Sequence, residues 1–251
     1  MVARVFITGS TGKLGRQLVN VFPYALAPTR KELDITDKDA VLEYTKANRP
    51  KTVVHCAALT GIRECEEDKE TAWRVNVEGT ENLVKACETV ADDCYFVYVS
   101  TACIFYGDKG NYVETDIPHP KNFYSLTKLL GEFVVKYSTL KKWLIIRTNF
   151  VAREKWPYAK AFVDRCGTYL FADDLARGIK TVTDSNITGI LHICGEEKLS
   201  MYELAKITTP DVKSMSQSEY KGPPLTMDMS LNSIRLKPFK ITRKSTDIKS
   251  V

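Results

Sequence analysis

The chain has 251 residues, of which 44% are hydrophobic and 27% charged, with a formal net charge of +5. This composition suits a folded domain with one sizeable core and excludes a disordered or fibrous chain. No apolar run approaches the roughly 18 residues of a membrane span, and no signal-peptide pattern precedes the first strand, so a cytoplasmic protein without a membrane partner is expected.

Residues 2–8 read as a short apolar strand, followed at once by Gly9-Ser10-Thr11-Gly12-Lys13-Leu14-Gly15, and Arg16 to Phe22 continues with helical apolar spacing. Strand, glycine turn and helix start form the context that a dinucleotide-binding loop requires. The glycines permit close backbone approach, and the helix N-terminus offers unpaired N–H groups to a pyrophosphate. The spacing is Gly-x-x-Gly-x-x-Gly, and a glycine-rich turn without a ligand is the alternative reading.

Farther along, Tyr24 to Ala27 reads as a second strand, Lys38 to Asn48 as a helix capped by Thr36 or Asp37, and Thr52 to Ala57 as a third strand. Glu66 to Val90 reads as one helix, Tyr95 to Ser100 as a fourth strand, Ile104 to His119 as turns and Phe123 to Tyr137 as a helix. A fifth strand (Trp143 to Arg147), a helix (Ala172 to Thr183) and a sixth strand (Gly189 to Cys194) complete the rhythm. Alternating strands and helices predict an α/β fold, a Rossmann-type doubly wound parallel sheet covered on both faces. Residues 1–150 and 171–196 are assigned to it, and residues 151–170 and 197–251, which break the rhythm, to a small C-terminal substrate lobe.

Between the second strand and the next helix lie Thr29-Arg30-Lys31, with Glu32 one step later. An acidic side chain at this point would bind the ribose 2′-hydroxyl of NAD, whereas a basic one accommodates the 2′-phosphate of NADP. Arg30 offers phosphate a planar fork, so NADP(H) is the expected cofactor, with NAD(H) a further option; an ordinary solvated loop is the bland alternative. In the predicted helix after His119, Tyr124 and Lys128 stand four residues apart on one face. A nearby ammonium favours a phenolate, and a tyrosine tuned in this way can exchange a proton with an alcohol or carbonyl oxygen.

Seven cysteines without Cys-x-x-Cys or zinc-type spacing point to reduced, packed thiols and to no metal site. The positive charge gathers late, at Arg235, Lys237, Lys240, Arg243, Lys244 and Lys249. No recognition motif accompanies it, so nucleic acid is not an expected partner and a solvated, partly frayed terminus is.

Thr8-Gly9-x-x-Gly12-x-x-Gly15 together with Tyr124-x-x-x-Lys128 resembles the extended short-chain dehydrogenase/reductase superfamily. Glu32 through Asp37, Val54 through Thr60, Val97 through Thr101, Tyr124 through Glu132, Asp174-Leu175-Ala176 and Gly189 through Ile193 narrow the resemblance to the dTDP-4-dehydrorhamnose reductase family. The resemblance implies an NADPH-dependent reductase of a nucleotide-linked 4-keto-6-deoxy sugar, with a homodimer as an option. It implies cofactor contacts from Gly9, Thr11, Gly12, Lys13, Leu14, Gly15, Arg30, Asp34, Ile35, Ala57, Ala58 and Thr60. Thr101 would hydrogen-bond the reacting oxygen, Tyr124 would supply its proton, and Lys128 would hold the nicotinamide ribose and lower the tyrosine pKa. Ser100 would face the other side of its strand.

Thr101, Ala102 and Phe150 are the implied substrate contacts. The family's Asp after the threonine is Ala102 here, its Trp is Phe150, and the helix that follows is largely replaced by Arg153 through Tyr158. Trp156 and Tyr158 are expected to close the pocket or to pack the lobe. With no carboxylic acid at Ala102 or Cys103, a dehydratase is disfavoured. An NADP-binding regulatory subunit, like the relative that partners methionine adenosyltransferase, and a nucleotide-sugar epimerase are the alternatives.

Overall fold

The computed structural model describes residues 4–90 and 93–243, so Lys244 and Lys249 lie outside the described residues. Strand β1 (Val5–Thr8) leads through the glycine turn into helix α1 (Lys13–Val21), followed by α2 (Lys38–Asn48) and β2 (Thr52–His55). Helices α3 (Ile62–Glu67), α4 (Lys69–Trp73) and α5 (Gly79–Val90) come next, with a π-helical turn at Arg74–Glu78 before α5. Strand β3 (Tyr95–Val99), a 3-10 turn (Ala102–Ile104), α6 (Phe123–Lys136) and β4 (Lys142–Thr148) continue the alternation. Short strands β5 (Phe150–Val151), β6 (Lys160–Phe162), β7 (Cys166–Gly167) and β8 (Leu170–Phe171) precede α7 (Ala172–Asp184) and β9 (Gly189–Ile193). The described chain closes with β10 (Leu199–Ser200), α8 (Met201–Thr208), β11 (Lys213–Met215) and β12 (Asp228–Met229).

The main sheet is wholly parallel, in the order β1-β2-β3-β4-β9. Alternate residues along each strand point to opposite faces, which explains two separate cores. Ile7, Val54, Val97, Ile146 and Leu191 pack with Leu14 and Leu18 of α1 and Leu175 and Ile179 of α7. Phe6, Val53, Phe96, Tyr98 and Ile145 pack on the other face with Val41 of α2, Leu83 and Val84 of α5 and Val135 of α6. Each such side chain contributes roughly 1.5–3 kcal/mol on burial.

Two expectations change. The strand at Tyr24 to Ala27 shrinks to one bridge, Phe6 to Leu26, held by two backbone hydrogen bonds of 2.8 Å. Pro23 and Pro28 flank it and have no N–H for a ladder, and Tyr24 points into solvent. The helix expected over Glu66 to Val90 begins earlier and is interrupted, because the Asp68 side chain accepts from the Thr71 amide and starts α4 afresh. Leu26 lies on the outer side of β1 while β2 lies on the inner side, so the chain reverses direction across the sheet at β1. Ligands of open parallel sheets settle at such a reversal, at the carboxyl ends of the strands.

Beyond β4, strands β10, β7 and β12 form a small sheet and β6 pairs with β11, against α8. The tail is more anchored than its charge suggested. Phe239 packs on the core beneath α7, Ile241 is buried, and the Arg235 guanidinium donates to the Thr188 carbonyl at 2.9 Å. Arg243 pairs with Glu197. Among the described residues, no helix is long and apolar enough to cross a membrane.

Candidate active site

The turn after β1 is shaped by what its glycines leave out. Gly9 has φ +70°, in the left-handed region, and a Cβ there would lie 2.7 Å from the Ala57 nitrogen. A Cβ on Gly15 would collide with the Gly9 carbonyl, so α1 packs directly on the turn. Gly12 caps α1 without a side-chain hydrogen bond, and the first turn of α1 holds no acid. Its N–H groups remain available to an anion. Ser10 ties the turn to the next loop by donating to the Pro28 carbonyl at 2.9 Å.

These features open onto a cavity of about 260 Å³ at the strand ends. Gly9, Thr11, Gly12, Arg30, Asp34, Ile35, Ala57 and Ala58 line it, together with Thr8, Pro28, Leu33, Cys56 and Leu59. The missing Cβ atoms, the small Ala57 and Ala58 and the uncapped helix start fit a dinucleotide. Of the expected contacts in the turn and loops, Lys13, Leu14, Gly15 and Thr60 do not line it, although the N–H groups of the first three open α1. The Leu14 side chain belongs to the core, as amphipathic helix spacing dictates, Lys13 borders a separate cavity with Arg153 and Asp173, and Thr60 turns toward a larger cavity.

The loop charges are already arranged for a basic contact. Glu32 folds back to accept from the Thr29 amide and hydroxyl at 2.8 and 2.9 Å. Asp34 accepts from the Thr36 amide and hydroxyl through one oxygen and from Arg30 Nε through the other, at 3.2 Å. Arg30 keeps its terminal nitrogens exposed at the cavity wall.

Helix α6 carries Tyr124 and Lys128. Asn122 caps it by accepting from the Ser125 amide at 2.9 Å, and Glu66 accepts from the Phe123 amide at 2.7 Å. Tyr124 is partly buried and Lys128 almost wholly so, with its Nζ 4.1 Å above the Tyr98 ring. Burial pushes the Tyr124 phenol well above its ordinary range, the Cys103 thiol adds to this, and a hydrogen bond with Thr101 opposes it. Burial likewise pulls the Lys128 ammonium down to about 7, against the attraction of Glu132. The expected lowering of the tyrosine pKa by Lys128 is therefore not met: desolvation dominates at both groups, and Lys128 is not among the groups that move the phenol.

Thr101 ends the strand segment and starts the 3-10 turn, its oxygen accepting from the Cys103 amide at 3.1 Å. Ser100 faces the opposite side, where it donates to Glu132 at 2.6 Å. Glu132 in turn forms a buried, forked ion pair with Arg147, the closest approach being 2.8 Å. Two further buried residues escaped the sequence reading. His55 spans Thr8 and Thr80 at 2.7 and 3.0 Å, and burial, aided by Lys128, drives its pKa down to about 3. Asn76, in the π-helical turn, accepts from the Leu59 amide at 2.8 Å and donates to Thr127 at 2.9 Å. It thus joins the cofactor-side loop to the helix of Tyr124.

A second cavity, of about 780 Å³, lies between α3 and the small sheets, lined in part by Thr60, Arg63, Trp156, Tyr158, Arg165 and Tyr220. Trp156 both borders it and packs the lobe, with Nε1 donating to the Lys160 carbonyl at 3.2 Å. None of the three expected substrate contacts, Thr101, Ala102 and Phe150, is among the residues that line it. Ala102 is fully buried in an apolar cluster with Phe105 and Phe171. Phe150 pairs with Leu170 across β5 and β8 and packs against the main core.

The RmlD substrate binding domain family matches residues 3–223. The chain belongs to this family. It is 30% identical to the dTDP-4-dehydrorhamnose reductase of Aggregatibacter actinomycetemcomitans over 81% of its own length and 77% of the relative's. It is also 30% identical to methionine adenosyltransferase 2 subunit beta of Xenopus laevis, over 80% and 70% of the two chains. Among solved structures, dTDP-4-dehydrorhamnose reductase from Bacillus anthracis in complex with NADP superposes with a TM-score of 0.84 at 26% identity, covering 92% of this chain and 91% of that one.

Proposed function

We propose that this family member is an NADPH-dependent reductase of a nucleotide-linked 4-keto-6-deoxy sugar. The observation that carries the reading is Tyr124 with the Thr101 hydroxyl close enough to act on its phenol, one helical turn from Lys128, which is buried near His55 and Cys56 at the glycine cradle. The first-turn N–H groups of Lys13, Leu14 and Gly15 hold the pyrophosphate, and Arg30 takes the 2′-phosphate. Lys128 holds the nicotinamide ribose. When bound, the cofactor supplies the hydride that reduces the carbonyl carbon.

Thr101 orients the carbonyl oxygen, and Tyr124 donates its phenolic proton to that oxygen as negative charge develops there. A raised phenol pKa suits this direction, because it keeps the proton on Tyr124 until the oxygen demands it. Once the proton has moved, the Thr101 hydroxyl, which favours the ionised phenol, can turn to the phenolate. Lys128, beside an anionic dinucleotide, regains its proton and offsets the same charge. Mixing the protein with NADPH and a panel of nucleotide 4-keto sugars tests the proposal by loss of absorbance at the nicotinamide band.

Ala102 favours one alternative. Its apolar burial where related reductases carry an aspartate suits a subunit that binds NADP without turnover, and subunit beta of methionine adenosyltransferase is comparably similar. NADPH binding with no oxidation by any sugar of the panel would support that alternative.

A further inference from the structure

The larger cavity is bordered by a buried positive charge that no acidic group among the described residues pairs with. Arg165 lies just before β7 and is about one-tenth exposed. Its Nε donates to the Thr226 carbonyl at 3.0 Å, while Nη1 and Nη2 meet only the sulfur atoms of Met201 and Met229, at 3.5 and 3.4 Å. Thioether sulfur is a weak acceptor, so one strong partner serves five N–H donors. Among the described residues, no carboxylate lies within 4.0 Å of this guanidinium. The other deeply buried arginine of the main domain, Arg147, has Glu132 at 2.8 Å.

An arginine cannot shed its proton, so burial without a counter-charge is a standing penalty. Arg165 and Met201, the partner of Nη1, both line the cavity, which directs that edge of the fork into it. The other charges there are committed or solvated. Lys160 is paired with Glu219 at 2.6 Å, Arg63 donates to the Lys221 carbonyl, and Glu64 and Glu67 are exposed. Trp156, Phe162 and Tyr220 give the cavity flat apolar walls.

We propose that Arg165 is the receptor for the diphosphate of the substrate, and that it selects a diphosphate-linked sugar over a free one. The inference rests on the reductase reading for the identity of the ligand. A planar fork matches two phosphate oxygens, and because the guanidinium is already desolvated on folding, little of the binding energy is spent removing its water.

The test is calorimetric titration of dTDP, inorganic pyrophosphate and thymidine into wild type, Arg165→Met and Arg165→Lys, with NADPH as control and melting temperatures of the free proteins. Arg165→Met should weaken dTDP and pyrophosphate by about thirty-fold or more, leave thymidine and NADPH unchanged, and melt no lower than wild type. Arg165→Lys should fall between. Unchanged dTDP affinity overturns the proposal, and so does a lower melting temperature for Arg165→Met, which would mark the guanidinium as a strut of the fold. Arginine-dependent dTDP binding without turnover of any keto sugar would leave the receptor standing and remove the reductase reading. Turnover undiminished in Arg165→Met would do the reverse.

Discussion

Replacing Lys128 with methionine removes the most deeply buried cation of the site and leaves an unbranched chain of similar length over Tyr98. The native ammonium titrates near 7, against 10.5 for a free lysine. Between those values the unfolded chain holds a proton that the native protein does not, so this group makes stability rise with pH across that window. At about 1.4 kcal/mol per decade, the full penalty is about 5 kcal/mol below pH 7. By pH 9 only the interval from 9 to 10.5 remains, about 2 kcal/mol. The methionine variant should therefore gain on wild type by about 3 kcal/mol more at pH 6 than at pH 9. Taking the difference between two proteins cancels the buried tyrosines and cysteines that also titrate at high pH. Urea unfolding of both proteins without cofactor, at the two pH values and with unchanged m-values, measures it. A difference that does not vary with pH would refute the reasoning, because it would mean that Lys128 keeps its proton and its water.

Arg30→Ala should raise the KM for NADPH about tenfold or more while leaving that for NADH nearly unchanged, as steady-state kinetics with the two cofactors would reveal. An equal effect on both would remove Arg30 from the 2′-phosphate. Glu132→Gln strands the Arg147 charge in the core and should destabilise the protein by about 3–5 kcal/mol in chemical unfolding. Adding Arg147→Met should restore much of that loss, and a double variant as unstable as the sum of both single changes would contradict the pairing.

The sheet was legible because its strands are short apolar runs between turn signals, and α2 because Asp37 caps it in a sequence-visible way. The glycine cradle was legible because each glycine answers a local steric demand. Partners distant in sequence were not. Nothing near His55 announces Thr80, and nothing near Arg165 announces Met201 and Met229. The direction of the Tyr124 and Lys128 shifts was also hidden, because spacing on a helix gives proximity while burial comes from the whole fold. Ala102 and Phe150 show a further limit. Motif position suggested pocket residues, but Ala102 packs in an apolar cluster and Phe150 against the main core.

The most direct test of the account is Tyr124→Phe, compared with wild type in NADPH oxidation by a dTDP-linked 4-keto-6-deoxy sugar. The ring and its packing survive this change, so NADPH affinity should stay nearly intact while turnover falls by about two to four orders of magnitude. A phenylalanine variant that oxidises NADPH at the wild-type rate would contradict the assignment of the proton donor, and with it the active site proposed for this protein.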